Sequence, residues 1–246
     1  MRRTDLAAVR RARLFSQVPQ AKRASLLSSC FVQSLPESAL LCRQGERPDF
    51  LHIVVSGRVG LFGESARGEA LVEIFGPGDA LIVPAVALDK PSLLTARMLD
   101  DGRVIMWPAD DFRAQIRVNG PLAQGAMLQL CDYWRLLVAQ IKDLKLLTAV
   151  ERLSALLLNL APRGAGQTKV MLPGNRSLVA GLLGVAPQSL SRAFADLRPI
   201  GVSGGGREIS IMSVARLRAF AGERQPKGKD EDPNAKPFAS RRLRRR

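Results

Sequence analysis

Gln188, Ser189, Ser191 and Arg192 crowd one side of a short segment whose other side carries Leu190, Phe194 and Leu197. A carboxamide, two hydroxyls and a guanidinium contain no nucleophile–base pair; they are groups that recognise. An arginine fork matches guanine O6 and N7, a carboxamide both donates to and accepts from adenine, and a hydroxyl serves a base or a phosphate. The apolar spacings of four and three predict a helix buried on that face, with the polar residues near its N-terminus. Pro187 fits a first helical position, where its missing N–H costs nothing. Ahead of it, Leu178, Val179, Leu182 and Leu183 predict a first helix that stops at Gly184, a residue that accepts a left-handed backbone readily. Two helices joined by so short a turn form a helix-turn-helix, the layout that places a second helix in a DNA major groove.

The flanks extend this pattern. Ser203 to Arg207 reads as a tight Gly-rich turn, and Glu208 to Met212 as a short strand with Ile209 and Ile211 on one side. A hairpin in this place makes the unit a winged helix. Arg176, Lys169 and Arg207 are suited to phosphate contacts that position a protein on a duplex, and Ser177 joins the DNA-binding set beside Arg176.

Charge points the same way. The 246 residues hold 37 basic and 22 acidic side chains, a net +15 and a pI near 11.0, which favours a polyanionic partner. Thr148 to Gly222 holds nine basic against three acidic residues, Glu223 to Arg246 nine against four, and the first 147 residues keep the remaining +4. The last segment is rich in charge and proline and poor in apolar residues, so it reads as a disordered basic tail adding non-specific phosphate attraction. A basic protein that binds nucleic acid without sequence preference is the rival reading of the same charge.

Upstream, residues 1 to about 35 are helical in character. From Ala39 to Asp111 the chain breaks into short β-rich runs: Phe50 to Ser56, Arg58 to Phe62, Ala70 to Phe75, Ala80 to Val83 and Arg103 to Trp107. Turns fall at Gly45, Gly57, Gly63 to Gly68, Gly76-Pro77-Gly78-Asp79 and Asp100 to Gly102. Such spacing predicts a small sandwich or jelly roll. Pro121 then opens a long helix in which Ala123, Met127, Leu130, Trp134, Leu137, Ile141 and Leu144 recur at alternating steps of four and three. That is a heptad seam for a partner helix. Leu128, Leu136 and Val138 lie off the seam and are expected to pack back onto the β domain. A two-fold dimer follows, since a helix-turn-helix reads paired half-sites through protein symmetry. A second amphipathic helix runs from Glu151 to Leu160.

Several classes are excluded. One histidine and three scattered cysteines, Cys30, Cys42 and Cys131, supply no Ser-His-Asp, zinc or cupin-type set and no disulfide framework. No P-loop is present, and an enzyme is not expected. No apolar run approaches the ~18 residues of a membrane span, and no apolar h-region follows the N-terminal arginines. No membrane partner and a cytoplasmic location are the expectation.

β-roll, long helix and winged helix-turn-helix, in this order, resemble the Crp/Fnr family of bacterial transcription regulators. The resemblance covers roughly residues 12 to 221. It rests on Gly45, the IVVSGRV run through Gly57, the Gly76-Pro77-Gly78-Asp79 turn and, above all, LGVAPQSLSRAFADLRPIGV; the last is similar to the Nnr/Dnr-like nitrogen-oxide-responsive subgroup. It implies an α+β architecture: a cyclic-nucleotide-binding-like β-roll with N-terminal helices (1–120), a dimerisation helix (121–147), a winged helix-turn-helix (148–222) and the tail (223–246). It implies RNA polymerase as a further partner; activation and repression are both compatible with these parts. Relatives carry Glu-x-x-Ser-Arg on the recognition helix; here Gln188, Ser191 and Arg192 match. Carboxamide in place of carboxylate favours adenine over cytosine's amino group.

Nucleotide-binding relatives carry Gly-Glu and Arg-Ser pairs for ribose and cyclic phosphate. Here Ile82-Val83 and Leu93-Leu94 occupy those places, with Arg97 nearby. A phosphate buried against apolar residues is costly, so cyclic AMP and cyclic GMP are not expected to bind. Oxygen-sensing relatives hold an iron–sulfur cluster on four cysteines, which three cannot supply. Haem, and nitric oxide through it, fits an apolar roll, with His52 as candidate ligand and Cys131 as candidate redox point. A regulator with no effector, controlled by its abundance, is the alternative.

Overall fold

The computed structural model describes residues 9–10, 12–66, 68–162 and 166–224. The basic tail beyond residue 224 lies outside the described residues, as do the first eight residues. The chain divides into two compact units, Met1–Arg135 and Leu136–Arg246, and the division falls inside the long helix.

In the first unit, helix α1 (Gln20–Leu26) precedes strands β1 (Phe31–Leu35), β2 (Leu40–Cys42), β3 (Phe50–Ser56), β4 (Val59–Ser65) and β5 (Gly68–Phe75). Then come α2 (Val83–Leu88), β6 (Thr95–Met98), β7 (Gly102–Pro108), α3 (Ala109–Val118) and the long helix α4 (Gly120–Leu146). The strands form two antiparallel sheets, ordered β1-β7-β3 and β2-β6-β4-β5, as the spacing of short strands anticipates. Strand β3 reads FLHIVVS because it is covered on both faces: Leu51, His52, Ile53 and Val54 are all buried. Trp107 is fully buried between Phe15, stacked at 6.0 Å, and Phe112, edge-on at 5.2 Å; its indole N–H donates to the Asp111 carboxylate at 2.6 Å. In the Gly76–Asp79 turn, the Asp79 carboxylate reaches back to accept from the Gly76 N–H at 2.9 Å, closing the turn.

Two local expectations fail. Phe31–Leu35 is not helical: it is a strand paired with β7 from Phe31↔Met106 to Leu35↔Gly102. Its own alternation is weak, and the ladder of β7 supplies what the segment lacks. Ala80 to Val83 is not a strand either. Ala80 makes a single bridge to Ile53, Ile82 turns into the left-handed region at φ 46°, and α2 begins at Val83. Pro84 decides this, since it has no N–H for a ladder but suits a first helical turn.

Helix α4 is tied to the roll along one stripe. Leu122 and Ala126 are buried in the core, and Gln129 and Tyr133 both donate to the Ala80 carbonyl, at 2.9 and 2.7 Å. Tyr133 also meets Phe75 edge-on at 5.5 Å. The residues expected to pack back were Leu128, Leu136 and Val138; Val138 is exposed, and Leu128 and Leu136 are only half-buried. Positions 122, 126, 129 and 133 share a face at 3.6 residues per turn, and Leu128 and Val138 lie off it. Of the heptad seam, Leu130 packs against the roll's core, whereas Met127, Trp134, Leu137, Ile141 and Leu144 are exposed, Trp134 by 69%.

In the second unit, α5 (Ala149–Leu160) starts on a capping box: the Thr148 N–H donates to the Glu151 carboxylate at 2.7 Å, and the Glu151 N–H donates back to Oγ1 of Thr148. Strand β8 (Thr168–Met171), which the sequence reading left unassigned, precedes α6 (Arg176–Leu182), α7 (Pro187–Leu197), β9 (Val202–Ser203), β10 (Glu208–Ile211) and α8 (Val214–Arg224). The sheet order is β8-β10-β9, so β10 is flanked on both sides, with Ile209 and Ile211 fully buried as their alternation predicts.

Candidate nucleic-acid interface

Helix α6 opens on Asn175, whose side-chain oxygen accepts from the Leu178 N–H at 2.9 Å. It ends where Gly184 adopts φ 61°, and the Val185 N–H closes the turn on the Ala180 carbonyl at 3.0 Å. The positive φ favours glycine here, while a Cβ would meet only the movable methyl end of exposed Leu144. Pro187 is the first residue of α7, as expected. Leu190, Ala193 and Leu197 are buried; Gln188, Ser191 and Arg192 are exposed and Ser189 is half-buried. The structure thus brings the predicted base-reading residues onto one face. The Ser191 hydroxyl donates to the Pro187 carbonyl at 3.1 Å, which leaves its lone pairs to accept.

One assignment on this helix changes. Phe194 is half-exposed, and Ala193 takes the buried place expected for it. The helix has about three turns, and the small Ala193 between Leu190 and Leu197 on its buried face lets it approach its neighbours closely. The Phe194 ring is covered instead by Arg176, whose guanidinium carbon stands 3.5 Å from the ring centroid.

The predicted phosphate contacts are differently situated. Arg176 is half-buried, which draws its pKa below the ordinary arginine value, and it also donates to the Gly204 carbonyl in the wing turn at 3.4 Å. Ser177 is exposed beside it. Arg207 is exposed at the end of the wing turn and donates to the Leu172 carbonyl at 3.4 Å. Lys169, on β8, is paired with Glu208 across the ladder at 2.9 Å, so its charge is already matched by a carboxylate. Phe194, expected as a core residue, and Gly204, expected only as part of the wing turn, are both contacts of Arg176. Their signal was an aromatic at the rim of the helix's apolar face and a glycine-rich wing tip.

Residues 32–119 match the cyclic nucleotide-binding domain family, and residues 151–220 match the Crp-like helix-turn-helix domain family. The chain is 24% identical over 213 residues to a CRP-like cAMP-activated global transcriptional regulator of Mycobacterium tuberculosis, spanning 84% of this chain and 95% of that protein. The chain belongs to the Crp/Fnr family. Among solved structures it is similar to a candidate cyclic nucleotide binding protein of Ruegeria pomeroyi, at 29% identity over 89% of this chain and 97% of that one, TM-score 0.61. FixK2 of Bradyrhizobium japonicum shares the fold, at 20% identity, 77% and 96% coverage and TM-score 0.66.

Within this Crp/Fnr-type regulator, the residues expected at the nucleotide-cassette positions are situated as follows. Val83 is fully buried at the start of α2, Leu94 is half-buried and Leu93 is 87% exposed. Arg97 lies on the sheet face away from the core residues Ala96 and Met98, where it pairs with Glu69 at 2.6 Å and covers the Phe62 ring at 4.7 Å. Thr95 donates to the Glu64 carboxylate. Glu73 is buried opposite Leu61, on the same face of the ladder as Phe75. Two carboxylates, Glu64 on β4 and Glu73 on β5, thus lie on neighbouring strands of this sheet.

The candidate ligand His52 is 2% exposed and stands edge-on to Phe50 at 6.3 Å between ring centroids. Among the described residues its Nδ1 has no hydrogen-bond partner. A haem iron could be reached only if this cover were displaced, so the surroundings of His52 do not fit a porphyrin. Burial pushes the thiol of Cys30 up to about 12 and raises that of Cys42, while Cys131 is exposed on α4.

Burial also lowers the pKa of His52 from 6.5 to about 4. Between these values the unfolded chain binds a proton that the folded chain refuses, so stability falls as pH drops through that window. The slope approaches about 1.4 kcal/mol per pH unit. Urea unfolding at several pH values should show this dependence in the wild type and a flatter one in His52→Leu; equal slopes in the two proteins would remove the assignment.

Proposed function

We propose that this Crp/Fnr-type DNA-binding regulator acts as a homodimer that reads an inverted repeat, and that its β-roll is not controlled by a cyclic nucleotide. The carrying observation is the recognition helix α7, which buries Leu190, Ala193 and Leu197 while presenting Gln188, Ser191 and Arg192 to solvent. Arg192 grips guanine, Gln188 pairs with adenine, and Ser189 and Ser191 serve bases or phosphates. Arg176, Ser177 and Arg207 hold the backbone, with Lys169 contributing once released from Glu208.

Dimerisation is supported by the exposed row Met127, Trp134, Leu137, Ile141 and Leu144 on α4. A heptad row of large apolar side chains left in water is costly at about 25 cal/mol per Å², and the same row on a second copy covers it isologously. On family grounds RNA polymerase is the second macromolecular partner.

Cyclic-nucleotide control is the competing reading, because the Mycobacterium tuberculosis relative is named for activation by cAMP. Against it stand Val83 and Leu94 at the cassette positions, the outward placement of Arg97, and the carboxylates of Glu64 and Glu73. The effector is then a ligand without a phosphate, or none, with activity set by abundance.

Selection of binding sites from a random pool tests base reading. Wild-type protein should recover an inverted repeat without a cytosine requirement at the base facing residue 188, and Gln188→Glu should introduce one; a strong cytosine requirement in the wild type would refute the assignment. Sedimentation should show a dimer that Trp134→Glu with Ile141→Glu converts to monomers of weak affinity for the repeat; a monomeric wild type would end the dimer reading. Titration calorimetry with cyclic AMP and cyclic GMP should give no heat of binding, and micromolar affinity for either would establish the competing reading.

A further inference from the structure

Phe194 projects from the recognition helix without joining the core, and its ring meets a cation from another helix. A leucine would complete the rim of the apolar face equally well. What only an aromatic ring supplies is a negative face for a guanidinium, here Arg176 with its central carbon 3.5 Å from the centroid. The same guanidinium reaches the Gly204 carbonyl at 3.4 Å. That carbonyl belongs to a constrained turn: Gly204 has φ 144°, and a Cβ there would stand 2.4 Å from the Glu208 carbonyl oxygen. Three elements meet at one side chain: the start of α6, the recognition helix and the wing.

We propose that Phe194 is a positioning residue for DNA binding, holding the Arg176 guanidinium so that the phosphate contact and the wing turn are set together relative to the recognition helix. The inference rests on the reading of Arg176 as a phosphate contact. Stacking occupies the planar face of the guanidinium and leaves edge donors for a phosphate oxygen. A free arginine side chain gives up part of its rotamer entropy on binding; the ring restricts those rotamers before DNA arrives. Partial burial of Arg176 is consistent with this, since a mobile surface arginine would remain fully hydrated.

The test uses the full chain and two duplexes: the inverted repeat recovered by the wild type, and a scrambled version. Phe194→Leu should weaken binding to both duplexes by about 2- to 30-fold, the range of a cation–π contact of 0.5 to 2 kcal/mol, and lower the salt slope by about one, as Arg176→Ala should. The double variant should bind no more weakly than Arg176→Ala alone, and Phe194→Tyr should restore wild-type affinity and slope. A merely structural ring would lower the melting temperature and leave the salt slope in place; that result, full additivity in the double variant, or failure of the tyrosine to rescue would overturn the proposal. Arg192→Ala separates this from the recognition-helix reading. Should Arg192→Ala leave discrimination between the two duplexes intact, that reading fails, while coupling between residues 176 and 194 still stands or falls on its own measurement.

Discussion

Two side chains of the long helix, Gln129 and Tyr133, donate to a single backbone carbonyl, that of Ala80. That shared acceptor sits between the Gly76–Asp79 turn and α2, where the chain leaves the sheet and cannot continue as a strand. The two hydrogen bonds, together with buried Leu122 and Ala126, fix which stripe of the helix faces the β-roll. Because an α-helix has one face per 3.6-residue period, fixing that stripe also fixes which residues stay in water. Met127 and Trp134, which lie off that stripe, stay exposed as a consequence.

The C-terminal unit applies the same economy to the DNA-reading face. Its helices are short, and each is set by a local device: a capping box at Thr148, an asparagine cap at residue 175, a left-handed glycine at 184 and a proline at 187. Short helices gain little stability alone, so the unit depends on the buried row Leu190, Ala193 and Leu197 against its neighbours. With that row inward, the polar side of α7 has no choice but to face out. Arg176 then links this helix to the wing through a ring and a carbonyl rather than through an ion pair. Such a link leaves the positive charge available to a polyanion, whereas Lys169 is held by Glu208.

The roll keeps two antiparallel sheets and its Gly-Pro-Gly-Asp turn, with Val83 fully buried at the start of α2 and the carboxylates of Glu64 and Glu73 on the β4–β5 ladder. Arg97 illustrates the importance of which face a residue takes on a strand: one position along, it would point toward Met98 and the core.

Sequence by itself determined the periodic and stereochemical features. The helix-turn-helix, the Gly184 turn, the wing strand, the heptad row and most strands of the roll were legible because each depends on spacing or on the backbone preferences of glycine and proline. Phe31–Leu35 and Thr168–Met171 were misread or missed because short strands owe their state to a ladder partner distant in the chain, whereas Ala80–Val83 turns into a helix at Pro84 despite its strand-like apolar run. Only the tertiary structure could decide that Phe194 meets Arg176, that Lys169 is matched by Glu208, and that His52 is sealed beneath its neighbours. Those facts depend on contacts between residues up to tens of positions apart, which periodicity along one element does not encode.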